Sequence, residues 1–259
     1  MDKFINSYPS LIGKKLEDLE ALVLSLGTEK FRGMQLFEWL YSKKVDDYEK
    51  MSNLPIALRE KLKDFSIHPL MLINKDISNS KQTKKYLFAL ANGNMIESVL
   101  MKEGKRVTVC LSTQVGCAVD CDFCATAKMG FIQNLTIGEI LDQFLQLQNI
   151  SNDRITNVVF MGMGEPFLNY ENTMEAAHLL HHPKGINMGA WRITISTSGI
   201  TRKINQFAKE GQPYKLAVSL NASNEKQRLK TMPITKAYPF LELINASREY
   251  TVRLKKKIT

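Results

Sequence analysis

Cys117-Ala118-Val119-Asp120-Cys121-Asp122-Phe123-Cys124 sets three thiols apart by three and then two residues. The run just before it, residues 107–112, reads as a strand, so the thiols sit on a loop leaving a strand end. Downstream, helix and strand patterns alternate. Thr136-Ile137-Gly138-Glu139 is a capping box, and Ile137, Ile140, Leu141, Phe144 and Leu145 form one apolar stripe behind it. Residues 157–161 read as a buried strand, a helix begins near Tyr170, and residues 192–196 read as the next strand. A helix from about Thr201 is closed by Gly211 and followed by a strand over residues 215–220. Strands separated by helices of this length predict an α/β fold with a parallel sheet or partial (β/α) barrel. Ligands of such a sheet sit at the carboxyl ends of its strands.

Upstream of the thiols the pattern differs. Leu16, Leu19, Leu22, Val23 and Leu26 recur at helical spacing before Gly27, and Leu36, Phe37 and Leu40 share a face within residues 31–41. Ser52-Asn53-Leu54-Pro55 announces a third helix, with proline suited to its first turn. Residues 86–90, 96–101 and 107–112 are strand-like and are broken by Asn92-Gly93-Asn94 and Glu103-Gly104-Lys105, which predicts connecting β-hairpins. The expected division is a small N-terminal helical domain over residues 1–75 and an α/β core over residues 76–259.

The 259 residues, 44% hydrophobic, suit a folded chain, and no apolar run is long enough to span a membrane. The first residues lack the apolar stretch of a secretory signal, so a cytoplasmic location is expected. Lys and Arg total 35 against 26 Asp and Glu, a net charge of +9 that favours polyanions such as RNA. The basic pairs Lys14-Lys15, Lys43-Lys44, Lys84-Lys85 and Arg202-Lys203 are scattered and read as solvated helix ends and loops; residues 253–257 form a denser run.

All four cysteines, Cys110, Cys117, Cys121 and Cys124, fall in one short segment, which excludes a framework of disulfide staples and points to metal or redox chemistry. A four-iron cluster ordinarily takes four thiolates. Three from the protein leave one iron open to the amino and carboxylate groups of S-adenosylmethionine, and the spacing resembles the signature of the radical S-adenosylmethionine superfamily down to Phe123. The competing reading is zinc, with Cys110 or one of His178, His181 and His182 as fourth ligand. Gly162-Met163-Gly164-Glu165-Pro166 follows the strand at 157–161, and its glycines and Glu165 suit close approach to a ligand ammonium. It lacks the third glycine of a dinucleotide site and the lysine of a P-loop. Ser196-Thr197-Ser198-Gly199 and Ser219-Leu220-Asn221 close the next two strands with small polar residues.

Together with Phe31-Arg-Gly-Met-Gln-Leu-Phe-Glu-Trp-Leu-Tyr41, Met51-Ser-Asn-Leu-Pro55, Ile96-Glu97-Ser-Val-Leu100, Ala125-Thr126 and Met232-Pro-Ile234, these segments are similar to the adenine C2 methyltransferases of ribosomal and transfer RNA, the RlmN side of the RlmN/Cfr family. The resemblance runs from about residue 12 to the last residue. Pro166, where the C8-methylating relatives tend to carry alanine, points to C2 chemistry.

The resemblance implies a radical S-adenosylmethionine partial barrel, incomplete here, carrying a 4Fe-4S cluster on Cys117, Cys121 and Cys124. It implies S-adenosylmethionine on Gly164, Glu165, Ser196, Ser219, Leu220 and Asn221. Glu97 aligns with the family's proton acceptor and Cys110 with the cysteine that resolves a covalent enzyme–RNA intermediate, and a disulfide bond belongs to the same set of implied features. In the family mechanism one cofactor methylates a protein cysteine, a second supplies the radical that activates this methyl group, and the carbon adds to the adenine ring. The implied partners are rRNA, with tRNA as a second substrate, and an electron donor such as flavodoxin or ferredoxin; no membrane is involved, and a monomer is expected. Two departures stand out. Asn221 replaces a common histidine, and the methyl-carrying cysteine and a further asparagine of the family have no counterpart before Thr259. The expectation is a shortened chain unable to complete methylation, with bare sheet edges that favour association. The alternatives are another radical S-adenosylmethionine enzyme and a zinc-containing RNA-binding module.

Overall fold

Helix α1, Leu16–Ser25, forms where Leu19 and Val23, one turn apart, are both buried and Glu17 and Asp18 occupy the electropositive first turn. It opens a computed structural model that describes residues 9–80 and 82–259; residues 1–8, read above for a secretory signal, lie outside the described residues. Helix α2, Phe31–Phe37, continues into a π-helical stretch, Glu38–Ser42, that buries Trp39, Leu40 and Tyr41. The expected single helix thus has two geometries. In α3, Ile56–Leu62, Pro55 is the N-cap and not a first-turn residue, a shift of one position from the sequence reading.

Four strands follow as an antiparallel meander: β1 (Met71–Ile77), β2 (Thr83–Ala89), β3 (Met95–Glu103) and β4 (Arg106–Cys110). The hairpins expected from the sequence are β2 to β4. Strand β1 carries no alternation to announce it because, at the sheet edge, six of its seven residues are exposed.

A two-stranded ribbon, β5 (Gln114–Gly116) and β6 (Phe131–Asn134), brackets the cysteine loop. Then come α4 (Ile137–Ile150), β7 (Asn157–Phe160), α5 (Tyr170–His181), β8 (Ile193–Thr197), α6 (Thr201–Lys209), β9 (Lys215–Val218), α7 (Glu225–Thr231) and α8 (Phe240–Leu254). The α4 capping box forms as read, with Thr136 and Glu139 each bonding the other's backbone.

Seven strands make one sheet in the order β1-β2-β3-β4-β7-β8-β9. Strand β4 is its pivot, antiparallel to β3 and parallel to β7. Strands β7, β8 and β9 continue in parallel, as in a partial (β/α) barrel. The outer edge of β9 is not bare: Val218 donates its backbone N–H to Thr259 O at 2.9 Å and Leu216 O accepts from Thr259 N at 3.1 Å. A continuous core runs from Leu11, Phe37 and Tyr41 through Val109, Phe144 and Val158 to Ile195, Leu216 and Tyr250. No helix among the described residues is long and apolar enough to cross a membrane.

Candidate functional site

Strand register decides which side chains share a face. Val99 is the partner of Cys110, Cys110 of Val159, and Val159 of Thr194. Directly paired residues point the same way and alternate residues along a strand do too. Glu97, Cys110, Met161 and Ser196 therefore belong to one face of the sheet. The opposite face carries Ser98, whose hydroxyl donates to Gln143 Oε1 of α4 at 2.6 Å, so the helices cover that side.

At the carboxyl ends of β7, β8 and β9 a pocket of about 270 Å³ opens. Cys117, Cys121 and Cys124 line it together with Gly162, Gly164, Glu165, Ser196, Ser219 and Asn221. The structure thus gathers all three loop thiols and five of the six residues expected around S-adenosylmethionine; the sixth, Leu220, is absent from the lining. Its carbonyl instead accepts Nε of Arg228 at 3.2 Å. Glu97 and Cys110 do not line the pocket either. The Glu97 carboxylate lies 2.9 Å from Lys85 Nζ, while its backbone N–H donates to Met163 Sδ at 3.3 Å and its carbonyl accepts Ser112 Oγ at 2.6 Å. The Cys110 thiol is pushed up to about 11 by burial, opposed by a hydrogen bond from the backbone of Met161, a pocket residue.

Local sequence explains the loop. Gly116 has φ of +70°, and a Cβ there would fall 1.7 Å from Gly130 O, so only glycine lets the chain turn out of β5. Cys117 N donates to Gly130 O at 3.0 Å, Cys124 N to Cys121 O at 3.1 Å, and Asp122 N to Thr231 O at 3.0 Å. These bonds curl the thiols around one volume and tether them to the end of α7. All four cysteines are free, and the disulfide bond implied by the resemblance is not formed among the described residues.

Glycines in 162–166 serve packing more than ligand approach. A Cβ on Gly162 would meet Ser112 at 2.7 Å and one on Gly164 would meet Gln114 at 2.5 Å, so both let the loop lie flat on the segment after β4. Glu165 is 3% exposed. Its carboxylate accepts Phe167 N at 3.0 Å and Ser198 N at 2.6 Å. Burial raises its pKa, and those bonds, with the Ser198 and Thr197 side chains, counter the rise. Glu165 thereby locks the β7 loop to the end of β8 beside the thiols.

Sequence reasoning missed Arg228. It is fully buried, donates to Thr235 Oγ1 at 2.7 Å and to Ser198 O, and reaches Ser219 O at 3.4 Å. One guanidinium thus ties together the ends of β8 and β9. A lone arginine on a short, otherwise exposed helix gives no periodic signal.

The donor set fits an iron–sulfur cluster. Burial lifts the Cys121 thiol to about 11, the neighbouring Cys117, Cys124 and Glu165 adding to the rise and Arg228 opposing it; Cys117 is raised as well, again first by burial. Those two thiols stay protonated until cationic iron displaces their protons, and soft thiolates are the ligands iron–sulfur clusters use. A four-ligand zinc site is not assembled. His178 and His181 pack on Tyr214, His182 packs on Phe37, and among the described residues no cluster of His, Cys, Asp and Glu is arranged to hold a single metal ion.

Two family models match the chain: "Ribosomal RNA large subunit methyltransferase N-terminal domain" over residues 10–67 and "Radical SAM superfamily" over residues 111–258. A protein of Thermotoga sp. (strain RQ2) described as "Probable dual-specificity RNA methyltransferase RlmN" is 45% identical over 251 residues, covering 96% of this chain and 73% of the relative. A protein of Geobacillus kaustophilus (strain HTA426) with the same description is 42% identical over 97% of this chain and 70% of its own length. Among solved structures, a radical SAM methyltransferase from Sphaerobacter thermophilus superposes with a TM-score of 0.92 at 40% identity, over 96% of this chain and 74% of that one.

Proposed function

This chain belongs to the RlmN family of radical S-adenosylmethionine RNA methyltransferases, and from that premise we propose that its pocket serves methylation of adenine C2 in rRNA and tRNA. The observation that carries the reading is the convergence of Cys117, Cys121 and Cys124 with Glu165, Ser196, Ser219 and Asn221 on one pocket at the strand ends. Family members use S-adenosylmethionine and a 4Fe-4S cluster, which when bound supply a carbon-centred radical for a ring carbon too weakly nucleophilic for direct methyl transfer.

In this reading Cys117, Cys121 and Cys124 hold the cluster. Glu165 and the strand-end residues Ser196, Ser219 and Asn221 position the cofactor, and Gly164, lying flat on Gln114, holds their loop in place. Leu220 contributes by its main chain, held by Arg228. Glu97 and Cys110, on the same sheet face as Ser196, stand where a base laid against the sheet is met by a proton acceptor and a resolving thiol. The Lys85 ammonium lies 2.9 Å from the Glu97 carboxylate and orients it. Residues 1–75 are assigned to RNA and residues 76–259 to the cofactors. Reduced flavodoxin or ferredoxin is the class of electron donor, and the cytoplasm is the proposed place of work.

The present residues include no cysteine after Cys124, so the test reads cofactor chemistry and not methylated product. Anaerobic reconstitution should load about four irons per chain. Adding S-adenosylmethionine should change the cluster's paramagnetic resonance, and Cys117→Ala, Cys121→Ala and Cys124→Ala should each lose the iron while Cys110→Ala keeps it. Zinc without iron, or unchanged iron in any of the first three variants, overturns the reading.

A further inference from the structure

A second concavity lies at the other end of the same strands. Its volume is about 610 Å³, and it is lined by Lys43, Lys44, Arg154 and Arg192 together with Asn149 and Asn187. Thr156 and Arg192, on its wall, immediately precede β7 and β8, so it opens at the strands' amino ends. The four residues of β7, about 13 Å of strand, separate it from the end where the thiol pocket opens.

Four cations meet there with no acidic residue in the lining, and among the described residues none of the four forms an ion pair with a carboxylate. Each local cause can be read. Lys44 sits at φ of +55°, its carbonyl accepting Asn149 Nδ2 at 2.9 Å and its ammonium donating to Ser42 O at 2.7 Å, so α4 and the π-helical turn hold it in place. Arg192 donates to Thr156 O at 3.1 Å. The chain has two tryptophans, and each carries one of these cations: Lys43 Nζ lies 3.3 Å from the Trp39 ring centroid, and the Arg192 guanidinium 4.2 Å from that of Trp191. Trp191 is 60% exposed. Burial, and then the Arg154 charge, lower the Lys44 pKa, the second being the effect of like charges that an anion would relieve.

We propose that this cavity is a phosphate-binding site, filled by backbone phosphates of the RNA substrate with Trp191 available to a neighbouring base. Preformed cations around a concave polar surface, beside an exposed indole, are what a phosphodiester chain needs. The RNA source rests on the function proposed above; the phosphate chemistry does not. The site would give the substrate a second hold on the protein, remote from the radical chemistry.

The test compares the full chain with Lys44→Asn plus Arg154→Gln. Asparagine tolerates the left-handed backbone and Arg154 is exposed, so the fold is kept, which thermal unfolding checks. Lys105→Gln plus Lys209→Gln makes the same charge change at exposed positions elsewhere. RNA affinity is measured against salt, and tripolyphosphate binding is read by tryptophan fluorescence. If RNA phosphates fill the site, the cavity variant loses about 0.7 to 0.9 of log–log salt slope per contact removed, and the control retains the slope. Loss of the tripolyphosphate response with an unchanged RNA slope assigns the site to a free oligophosphate. An unchanged slope and an unchanged response overturn the proposal. Neither readout needs iron, so failure here and failure of the cluster chemistry are separate results.

Discussion

Glu165 Oε2 accepts the backbone N–H of Ser198 at 2.6 Å, joining the loop after β7 to the end of β8 inside a buried part of the pocket wall. Replacing it with alanine strands two buried N–H groups, those of Phe167 and Ser198. Urea unfolding should show Glu165→Ala destabilised by about 2 kcal/mol, and Glu165→Gln, which keeps one acceptor oxygen, by less. Equal losses in the two variants would mean that the hydrogen bonds are not what the carboxylate contributes.

Gly116 and Gly130 both have positive φ, but they differ in surroundings. A Cβ on Gly116 falls 1.7 Å from a carbonyl oxygen, whereas one on Gly130 meets nothing within 4 Å. Gly116→Ala should cost about 2–4 kcal/mol and abolish iron uptake by displacing the cysteine loop. Gly130→Ala should cost about 1–3 kcal/mol, the backbone penalty alone at φ +67° and ψ 176°, and retain iron.

Arg228→Met should lower stability by about 3 kcal/mol, since it leaves Thr235 Oγ1 and the carbonyls of Ser198 and Leu220 without their donor in a fully buried position. Arg228→Lys recovers a charge but not the fork, so S-adenosylmethionine affinity, measured by titration calorimetry on iron-loaded protein, should still fall.

His68 Nδ1 is 2.5 Å from Asp142 Oδ1, where the N-terminal segment meets α4. Burial disfavours the imidazolium, but the hydrogen bond to Asp142 and the charges of Asp142 and Asp46 outweigh it, and the pKa is raised above 6.5. Because the folded state holds the proton more tightly, this contribution is complete below pH 6.5 and is lost as pH rises through the higher folded value. Unfolding free energy should therefore decline above pH 6.5 in the native chain and be flatter in His68→Gln.

Legibility in the sequence followed physical cause. The alternation of helix and strand after residue 136 was plain because each element buries one stripe or one run, as in α4 and β7. The thiols and the strand-end serines were legible because spacing alone brings them to one end of a parallel sheet. Strand β1 was not, because an exposed edge strand needs no pattern. Arg228 and the basic cavity were not, because their partners come from segments far apart: Lys44 and Arg154 meet only after α4 docks on the π-helical turn. The pair Lys43-Lys44, read as solvated helix end or loop, supplies two of the four cations that line the cavity.

The double role of β4 bears on how the chain assembles. Its bonds to β3 close across a tight turn at Gly104, whereas its bonds to β7 must recruit residues about 50 positions later, a slower search. Pulsed hydrogen exchange should find the meander protected first and the parallel half second. Since the thiols lie between those two halves, metal insertion is expected to wait on the slower event, so that a nascent chain passes through a stage with its sheet half built and its sulfurs still exposed to oxygen.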